Sequence, residues 1–305
     1  MKKYELIFAI SDKPEEYAGL CAAAAKLAKG TALIYAGKRE TAAAAETAYY
    51  LGEINDKIRF ANYADSILSL VESKKPELII FGSSTNCSLT AGLLGAKLGC
   101  TVITDISELY ADDSTCFAKR MVYGGAAVRS YRFTSEPGIV CFSSGAIEPV
   151  ETTPAGNIVN FDSSNSSANR VECVAVKQKT VTQASLTTAK KVVAVGTGIE
   201  DEEGLELAKK LAAAIDAELG CTRPVAETMK LMPRGAYIGI SGQMIKPPLY
   251  IAIGVSGQVQ HVVGCCKSGL VVVINKDEKA AFFSECDYGL VADFKTVLPQ
   301  IISKL

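Results

Sequence analysis

The sequence is short of several features that mark common classes of protein. It has a single histidine, His261, and its 32 basic and 33 acidic residues leave a net charge of −1. A chain without a basic surplus is not expected to bind nucleic acid or an anionic membrane, since both partners favour a basic face. No run reaches the roughly 18 consecutive apolar residues that a membrane-spanning helix needs. We therefore expect a cytoplasmic protein with no membrane insertion and no nucleic-acid partner.

The ten cysteines include no C-x-x-C pair. A zinc site or a thioredoxin-type dithiol therefore has no support, and we predict no metal site. Free cysteines behave as small apolar residues in a reducing compartment, so we expect most of them to be buried. The start of the chain has too short an apolar stretch, followed at once by charges, to be a signal peptide, and residues 4–11 are predicted to form the first strand.

Two stretches of alternating strand and helix signals predict two α/β domains. The run at 76–84, PELIIFGSS, has too many consecutive apolar residues for a half-exposed strand and is typical of a central parallel strand. An alanine-rich helix is predicted near 41–52. The α/β pattern restarts at 191 after a stretch rich in Thr, Ser, Asn and Gln. We predict an N-terminal domain over 1–187 and a C-terminal domain over 188–305, each a mainly parallel sheet flanked by helices.

The clearest glycine turn lies in VVAVGTGIEDEEG, residues 192–204. Glycines after a strand let a backbone approach a ligand, and the N-terminus of a following helix can bind phosphate. The third glycine of G-x-G-x-x-G is missing, however, because Asp201 stands there, and the acidic first turn would repel a phosphate. Dinucleotide binding and an ordinary strand-to-helix turn both remain open on this motif alone.

Other polar groups follow apolar strands in the same half of the chain. Arg223, in CTRPVAE, could pair with an anionic ligand or form an ordinary surface ion pair. His261 closes GVSGQVQH, and a lone histidine after a strand is more often a hydrogen-bonded structural residue than a catalyst. Ser241 and Ser256 each stand beside a glycine at the end of such a stretch, so their hydroxyls could converge on one ligand.

Taken in order, these motifs resemble the flavin-binding domain of electron transfer flavoprotein α subunits. That family carries G-R-G, S-R, G-Q-T-G, P-x-L-Y-I-A-x-G-x-S-G-x-x-Q-H, I-N-K-D and D-Y-G-x-x-x-D. Here the corresponding stretches are GTG (196–198), TR (222–223), GISG (239–242), PPLYIAIGVSGQVQH (247–261), INKD (274–277) and DYGLVAD (287–293). The first half of the chain resembles the same family more loosely.

The resemblance implies a Rossmann-like second domain that binds FAD. Ser241 would reach the flavin N5, Arg223 would lie against the isoalloxazine ring and favour its reduced or anionic-radical form, and His261 would lie near the carbonyl O2. An imidazole or guanidinium there would stabilise negative charge on the ring. The full set of cofactor-binding residues that the resemblance implies is Thr197, Thr222, Arg223, Gly239, Ile240, Ser241, Gly242, Ser256, Gly257, Gln260, His261, Asn275, Asp293 and Phe294, the last three at the adenosine end.

Two positions depart from the family pattern. Thr197 replaces the arginine of G-R-G, which removes a cation from the pyrophosphate region, and Ile240 replaces the glutamine of G-Q-T-G. The resemblance therefore predicts a divergent member that binds FAD more weakly or uses another cation.

The implied function is that of an electron carrier rather than an enzyme with its own substrate. With a β subunit as partner, the chain would carry electrons between flavin dehydrogenases, such as acyl-CoA dehydrogenases of fatty acid oxidation, and an acceptor. A bifurcating version of this system stays open. The alternative is a nucleotide-binding regulatory or scaffold protein of the same fold without redox activity. A nicotinamide-dependent dehydrogenase is disfavoured, because the single histidine has no credible acid–base partner.

Overall fold

The chain divides into two compact units in a computed structural model. Unit 1 comprises Met1–Val122 and Val128–Gln178, and unit 2 comprises Tyr123–Ala127 and Lys179–Leu305. The division at Gln178 lies outside the described residues, so the domain boundary between 187 and 188 stays a prediction. The structure describes residues 4–39, 45–55, 58–112, 115–134, 136–148, 150, 156–161, 174–175 and 186–305.

Unit 1 is built on a nine-stranded, mainly parallel sheet in the order β7-β6-β5-β8-β4-β1-β2-β3-β9, in which β5 and β6 pair antiparallel. Its strands are β1 Tyr4–Ser11, β2 Ala28–Tyr35, β3 Thr47–Tyr50, β4 Leu78–Phe81, β5 Val102–Ala111, β6 Cys116–Val122, β7 Ala127–Arg132, β8 Gly138–Phe142 and β9 Asn157–Asn160. Its helices are α1 Pro14–Ala25, α2 Ala64–Lys74 and α3 Thr85–Leu98.

The centre of this sheet is apolar on both faces. Every residue of β4 is buried, as its unbroken apolar run predicts. Alternate residues of β1 pack into two separate core clusters, one on each face of the sheet. The helix predicted near 41–52 is wrong for the described part of that stretch, since β3 pairs there in parallel with β2. Alanine favours helix, but pairing with a buried neighbouring strand outweighs local propensity.

Unit 2 contains a five-stranded parallel sheet in the order β11-β10-β12-β13-β14. The strand that comes first in the chain lies between the second and the third, which is the order of a doubly wound sheet. The strands are β10 Lys191–Val195, β11 Glu218–Cys221, β12 Leu249–Ile253, β13 Leu270–Asn275 and β14 Tyr288–Val291. The helices are α4 Glu202–Ala214, α5 Arg223–Glu227, α6 Val259–Cys265 and α7 Phe294–Ile302. The predicted fold class, two α/β units with mainly parallel sheets, is confirmed.

Side-chain burial agrees with the expectation that most cysteines are buried free thiols. Six of the nine described cysteines are buried and all nine are free thiols, whereas Cys173 lies outside the described residues. In the part of the chain that the structure describes, no helix is long and apolar enough to cross a membrane.

Candidate functional site

A cleft opens at the carboxyl edge of the unit 2 sheet, between β10 and β12. The next strand after β10, β11, lies on one side of it, and β12 lies on its other side. The loops that follow β10 and β12 therefore diverge and leave a crevice between them. Ligands of open α/β sheets bind in such crevices. The cleft has a volume of about 410 Å³, within the range of about 300–1,000 Å³ typical of small-molecule sites. Its lining is Gly196, Thr197, Thr222, Arg223, Pro224, Tyr237, Ile238, Gly239, Ile240, Ser241, Val255, Ser256, Gln258, Gln260 and His261.

The floor of the cleft is formed where two loops cross with almost no side chains between them. The Gly196 amide donates to the Ile253 carbonyl at 2.9 Å, and the Gly198 amide donates to the Gly254 carbonyl at 3.0 Å. A Cβ on Gly196 would lie 2.6 Å from the Val255 Cα and still closer to the Gly254 carbonyl. The glycines of the G-T-G turn are therefore required for contact between the two loops, and both amides are already paired.

The helix that follows this turn does not offer its N-terminus to a phosphate. Asp201 is the N-cap of α4, and its carboxylate accepts from the Gly204 amide at 2.8 Å. This hydrogen bond lowers the pKa of Asp201. Glu200, next to it, pairs with Lys276 at 2.5 Å. Of the two readings of this motif, the structure favours the strand-to-helix turn with its own cap.

Arg223 brings positive charge to one wall of the cleft. It is the first residue of α5, and its Nε donates to Glu227 Oε2 at 2.6 Å. The other oxygen of Glu227 lies 3.0 Å from Nε of Arg234, so one carboxylate is shared by two guanidinium groups. The hydrogen bond with Glu227 raises the pKa of Arg223. Among the described residues that line the cleft, Arg223 alone has a side chain that is charged at pH 7.

The Thr222 hydroxyl, beside Arg223, has no hydrogen-bond partner among the residues that the structure describes. Thr222 occupies the N-cap position of α5 without making a side-chain cap, and its Oγ1 is buried. A buried hydroxyl without a partner costs free energy of folding, so an unpaired one on a residue that lines a cleft indicates a place for a ligand atom.

A tight loop from 237 to 243 forms the opposite wall. The Ile240 amide donates to the Gln260 carbonyl at 2.8 Å and the Gln243 amide to the Tyr237 carbonyl at 2.8 Å. The Tyr237 hydroxyl donates to the Ser241 carbonyl. Gly239 and Gly242 make the bends of this loop, which leave Ile240 and Ser241 exposed to the cleft.

The third wall is the turn from Val255 to His261. Ser256 and Gln260 are exposed on its cleft side. Gly257 has φ of +82° and its α-carbon faces the backbone of Phe282, so this turn requires glycine. Gly257 supports the wall without lining it. Gln258 also lines the cleft, a polar residue that the sequence analysis missed although it lies inside the G-x-S-G-x-x-Q-H motif.

His261 lies at the base of this wall and is 6% exposed. Its Nδ1 is 3.0 Å from the Ile238 carbonyl and its Nε2 is 2.7 Å from the Tyr250 hydroxyl. Burial lowers the pKa of His261 to about 4. The ring is therefore neutral at pH 7, with both nitrogens bonded to protein groups.

Five of the implied residues do not line the cleft. Gly242 and Gly257 shape its loops, and the other three lie elsewhere in unit 2. The side-chain amide of Asn275 donates to the Val255 carbonyl at 3.0 Å and so holds the start of the turn from Val255 to His261. Asp293 caps α7 through the Lys295 amide at 2.8 Å. The Phe294 side chain is buried in the core beneath α4 and α7. Their place at the adenosine end stays a prediction.

Comparison with known proteins identifies the family. Residues 15–166 match the family model described as the electron transfer flavoprotein domain, and residues 185–266 match the electron transfer flavoprotein FAD-binding domain. A relative from Escherichia coli K12 with the name "Putative electron transfer flavoprotein subunit YdiR" is 32% identical over 311 residues, covering 100% of this chain and 99% of that protein.

Two further relatives have the name "Protein FixB". The one from E. coli O6:K15:H31 is 35% identical over 83% of this chain and 82% of its own length. The one from E. coli O139:H28 is 35% identical over 84% of this chain and 78% of its own. Because a relative above 30% identity spans the whole chain and the second unit matches the FAD-binding domain, the chain belongs to the electron transfer flavoprotein family as an α-subunit-like member with FAD as its cofactor.

Proposed function

We propose that the unit 2 cleft holds the isoalloxazine end of FAD, and that the chain acts with a β subunit to carry electrons between flavin dehydrogenases and an acceptor. One observation carries this proposal. Three stretches far apart in sequence, 222–223, 239–241 and 256–261, converge on one cleft at the switch point of the sheet. These stretches correspond to the S-R, G-Q-T-G and S-G-x-x-Q-H motifs of the family.

The residues present fit this cofactor. The unpaired Thr222 hydroxyl provides a buried hydrogen-bonding group, Arg223 provides positive charge, and Ile240 and Pro224 provide apolar surface for a ring. FAD, when bound, supplies a ring that takes up and releases electrons. A guanidinium beside the ring would stabilise negative charge on it in a partly dehydrated site.

The pyrophosphate end has less support in the cleft. Thr197 lines the cleft where the family has arginine, and Lys276 and Lys295 are both paired with Glu200. We propose that FAD binding relies on Arg223 more than it would in a member with the G-R-G turn. Asn275 would act at the adenosine end through the turn that it holds at Val255.

A β-subunit partner is implied by the family, and an exposed edge of unit 2 is a place where such a partner could bind. All four residues of β14, the edge strand, are exposed, including Tyr288, Leu290 and Val291. An exposed apolar edge strand offers unpaired backbone groups to another chain. The same proposal includes acyl-CoA dehydrogenases as electron donors and a cytoplasmic location. It also includes a bifurcating system as one form of this electron transfer.

The test is to purify the chain with its β subunit and record the absorption spectrum during stepwise reduction with dithionite. We expect bound flavin, and we expect Arg223→Ala to raise the dissociation constant of FAD by roughly tenfold or more, because a charge-assisted contact is lost. Arg234→Ala is the matched control: it also removes a partner of Glu227 but does not line the cleft.

Arg223→Lys sharpens the result, since it keeps the charge and loses the planar fork. A complex that takes up no flavin but binds AMP or ADP tightly would favour the nucleotide-binding regulatory alternative. Equal FAD affinities for Arg223→Ala and Arg234→Ala would place the ring outside this cleft.

A further inference from the structure

The hydrogen bonds of His261 determine where its proton lies. The Ile238 carbonyl can only accept, so Nδ1, 3.0 Å away, must carry the hydrogen. In a neutral imidazole the other nitrogen accepts, and the group 2.7 Å from Nε2 is the Tyr250 hydroxyl, which therefore donates. The tautomer follows from these partners.

The surroundings of this pair favour the uncharged state. Tyr250 is completely buried, and Phe282 packs edge-on against the imidazole at a ring distance of 6.0 Å. Burial raises the pKa of Tyr250 well above its ordinary value. It also raises the pKa of Cys265 and of Cys221 to about 12, so both thiols are neutral at pH 7.

The remaining titratable groups around His261 belong to the walls of the cleft. Tyr237 and Arg223 line the same space, and Arg223 is paired with Glu227. The Cys265 thiol donates to the backbone carbonyl of His261 at 3.7 Å rather than to its ring. The titratable side chain that contacts the imidazole directly is thus Tyr250.

We propose that Tyr250 is a positioning residue that holds His261 as the neutral Nδ1–H tautomer, so that the positive charge facing the cofactor comes from Arg223 and not from an imidazolium. The Tyr250–His261 bond joins β12 to α6, and the Ile238 bond joins α6 to the opposite wall. His261 then fixes the distance between two walls of the cleft. This assignment rests on the proposed function for the identity of the cofactor and differs from a role in which His261 itself becomes charged.

Because His261 is the sole imidazole of the chain, nitrogen NMR can test the tautomer directly. The α chain would be labelled with ¹⁵N-histidine and assembled with unlabelled β subunit and FAD. We expect a protonated Nδ1 and an unprotonated Nε2, with shifts that stay constant from about pH 8 to about pH 5. A proton on Nε2 at neutral pH would overturn the proposal without any variant being needed.

Tyr250→Phe tests the role of the hydroxyl. We expect the Nε2 resonance to move and the histidine signals to become pH-dependent between about pH 5 and pH 7, because Nε2 has lost its donor and is open to protonation. Tyr123→Phe, which changes a side chain that is 80% exposed, should leave the wild-type spectrum unchanged. Histidine signals of Tyr250→Phe that coincide with those of the wild type would refute a positioning role.

Two controls separate the possible failures. Circular dichroism of Tyr250→Phe shows whether the variant folds, and the wild-type spectrum remains decisive if it does not. FAD content is read from visible absorption in the same samples. A wild-type complex without flavin would refute the proposed function, whereas the tautomer of His261 would still be read from its nitrogen shifts. The pH dependence of the cofactor midpoint potential provides a second comparison, with a changed slope expected in Tyr250→Phe alone.

Discussion

At the carboxyl edge of its sheet, unit 2 leaves a cleft between β10 and β12, whereas unit 1 fills the corresponding place between β1 and β4 with the side chain of Glu16. In both sheets these two neighbouring strands are the place where the strand order reverses, so the loops that follow them run in opposite directions. The Glu16 carboxylate accepts from the Ser11 hydroxyl at 2.8 Å, the Ser83 amide at 3.1 Å and Lys13 Nζ at 3.4 Å. It occupies the position where an anionic ligand would meet the strand ends.

The comparison shows that the topology provides a crevice and single residues decide its use. The first turn of α1 contributes a carboxylate that closes one crevice. The residue that leads into α5, Thr222, contributes an unpaired hydroxyl to the other. Fold alone therefore does not predict a site, and the residues that follow the strands must be examined.

The largest effect is expected at the glycine crossing beneath the open cleft. Gly196→Ala would place a methyl group against the backbone of Gly254 and Val255, which cannot move without breaking two hydrogen bonds. We expect the free energy of unfolding to fall by about 3 kcal/mol, measured by urea titration with circular dichroism. Gly92→Ala, where a Cβ meets nothing within 4 Å, should gain up to about 1 kcal/mol. Equal stabilities would contradict the crossing.

His261 should make the stability of unit 2 depend on pH. Its folded pKa of about 4 lies below the ordinary value of 6.5, so between these values the unfolded chain binds a proton that the folded chain does not. Stability is therefore complete above about pH 6.5 and decreases as the pH falls towards 4, by about 3 kcal/mol in total. His261→Gln should lack this component. The check is the difference in the free energy of unfolding between the wild type and His261→Gln at each pH. This difference would not change with pH if His261 took up its proton equally well in the folded and the unfolded chain.

Removing the carboxylate that closes unit 1 should have a smaller effect. Glu16→Ala leaves the Ser83 amide and the Ser11 hydroxyl without their acceptor, at a cost of about 2 kcal/mol. Glu15→Ala, at the exposed neighbouring position, should change stability by less than about 0.5 kcal/mol. FAD affinity should be the same in both variants, because the cleft lies in unit 2. A loss of flavin in Glu16→Ala would show that the two crevices are not independent.

The smallest effects compare the two helix caps. In unit 1 the Ser84 hydroxyl caps α3 by accepting from the Cys87 amide at 2.9 Å, so Ser84→Ala should cost about 1 kcal/mol and Ser84→Gly only a few tenths. In unit 2, Thr222→Val should leave the stability of the cofactor-free chain almost unchanged, because the hydroxyl has no partner to lose. It should instead weaken FAD binding, as measured by flavin fluorescence. A stability loss without a change in affinity would show that Thr222 is a structural residue.

The sequence predicted the open cleft better than the closed crevice. Serines beside glycines at the ends of apolar stretches indicated that Ser241 and Ser256 could converge on one ligand. The family resemblance added 222–223 and the rest of 256–261 to the same cofactor site. Glu16 gave no such signal, since an acidic residue in a first helical turn is equally typical of an exposed position. Its burial depends on Ser83, which is 67 residues away.

Side-chain pairing was the part that local patterns could not predict. Arg223 was recognised as a candidate, and its bond to Glu227 is an i,i+4 pair within α5, but the sharing of that carboxylate with Arg234 depends on the fold of the loop between Glu227 and Arg234. The resemblance implied His261 as a group near the flavin carbonyl, and that role stays a prediction. Its bonds to Tyr250 and Ile238 are long-range contacts that no local periodicity reports.

The crossing of Gly196 and Gly198 over Gly254 has a consequence for how the cleft responds to its occupant. Backbone contacts backbone there with no side chain between, so no rotamer can change and the base of the cleft is rigid. Adjustment on binding or release of the cofactor is therefore expected in side chains such as those of the exposed Ile240 and Ser241, and not in this crossing.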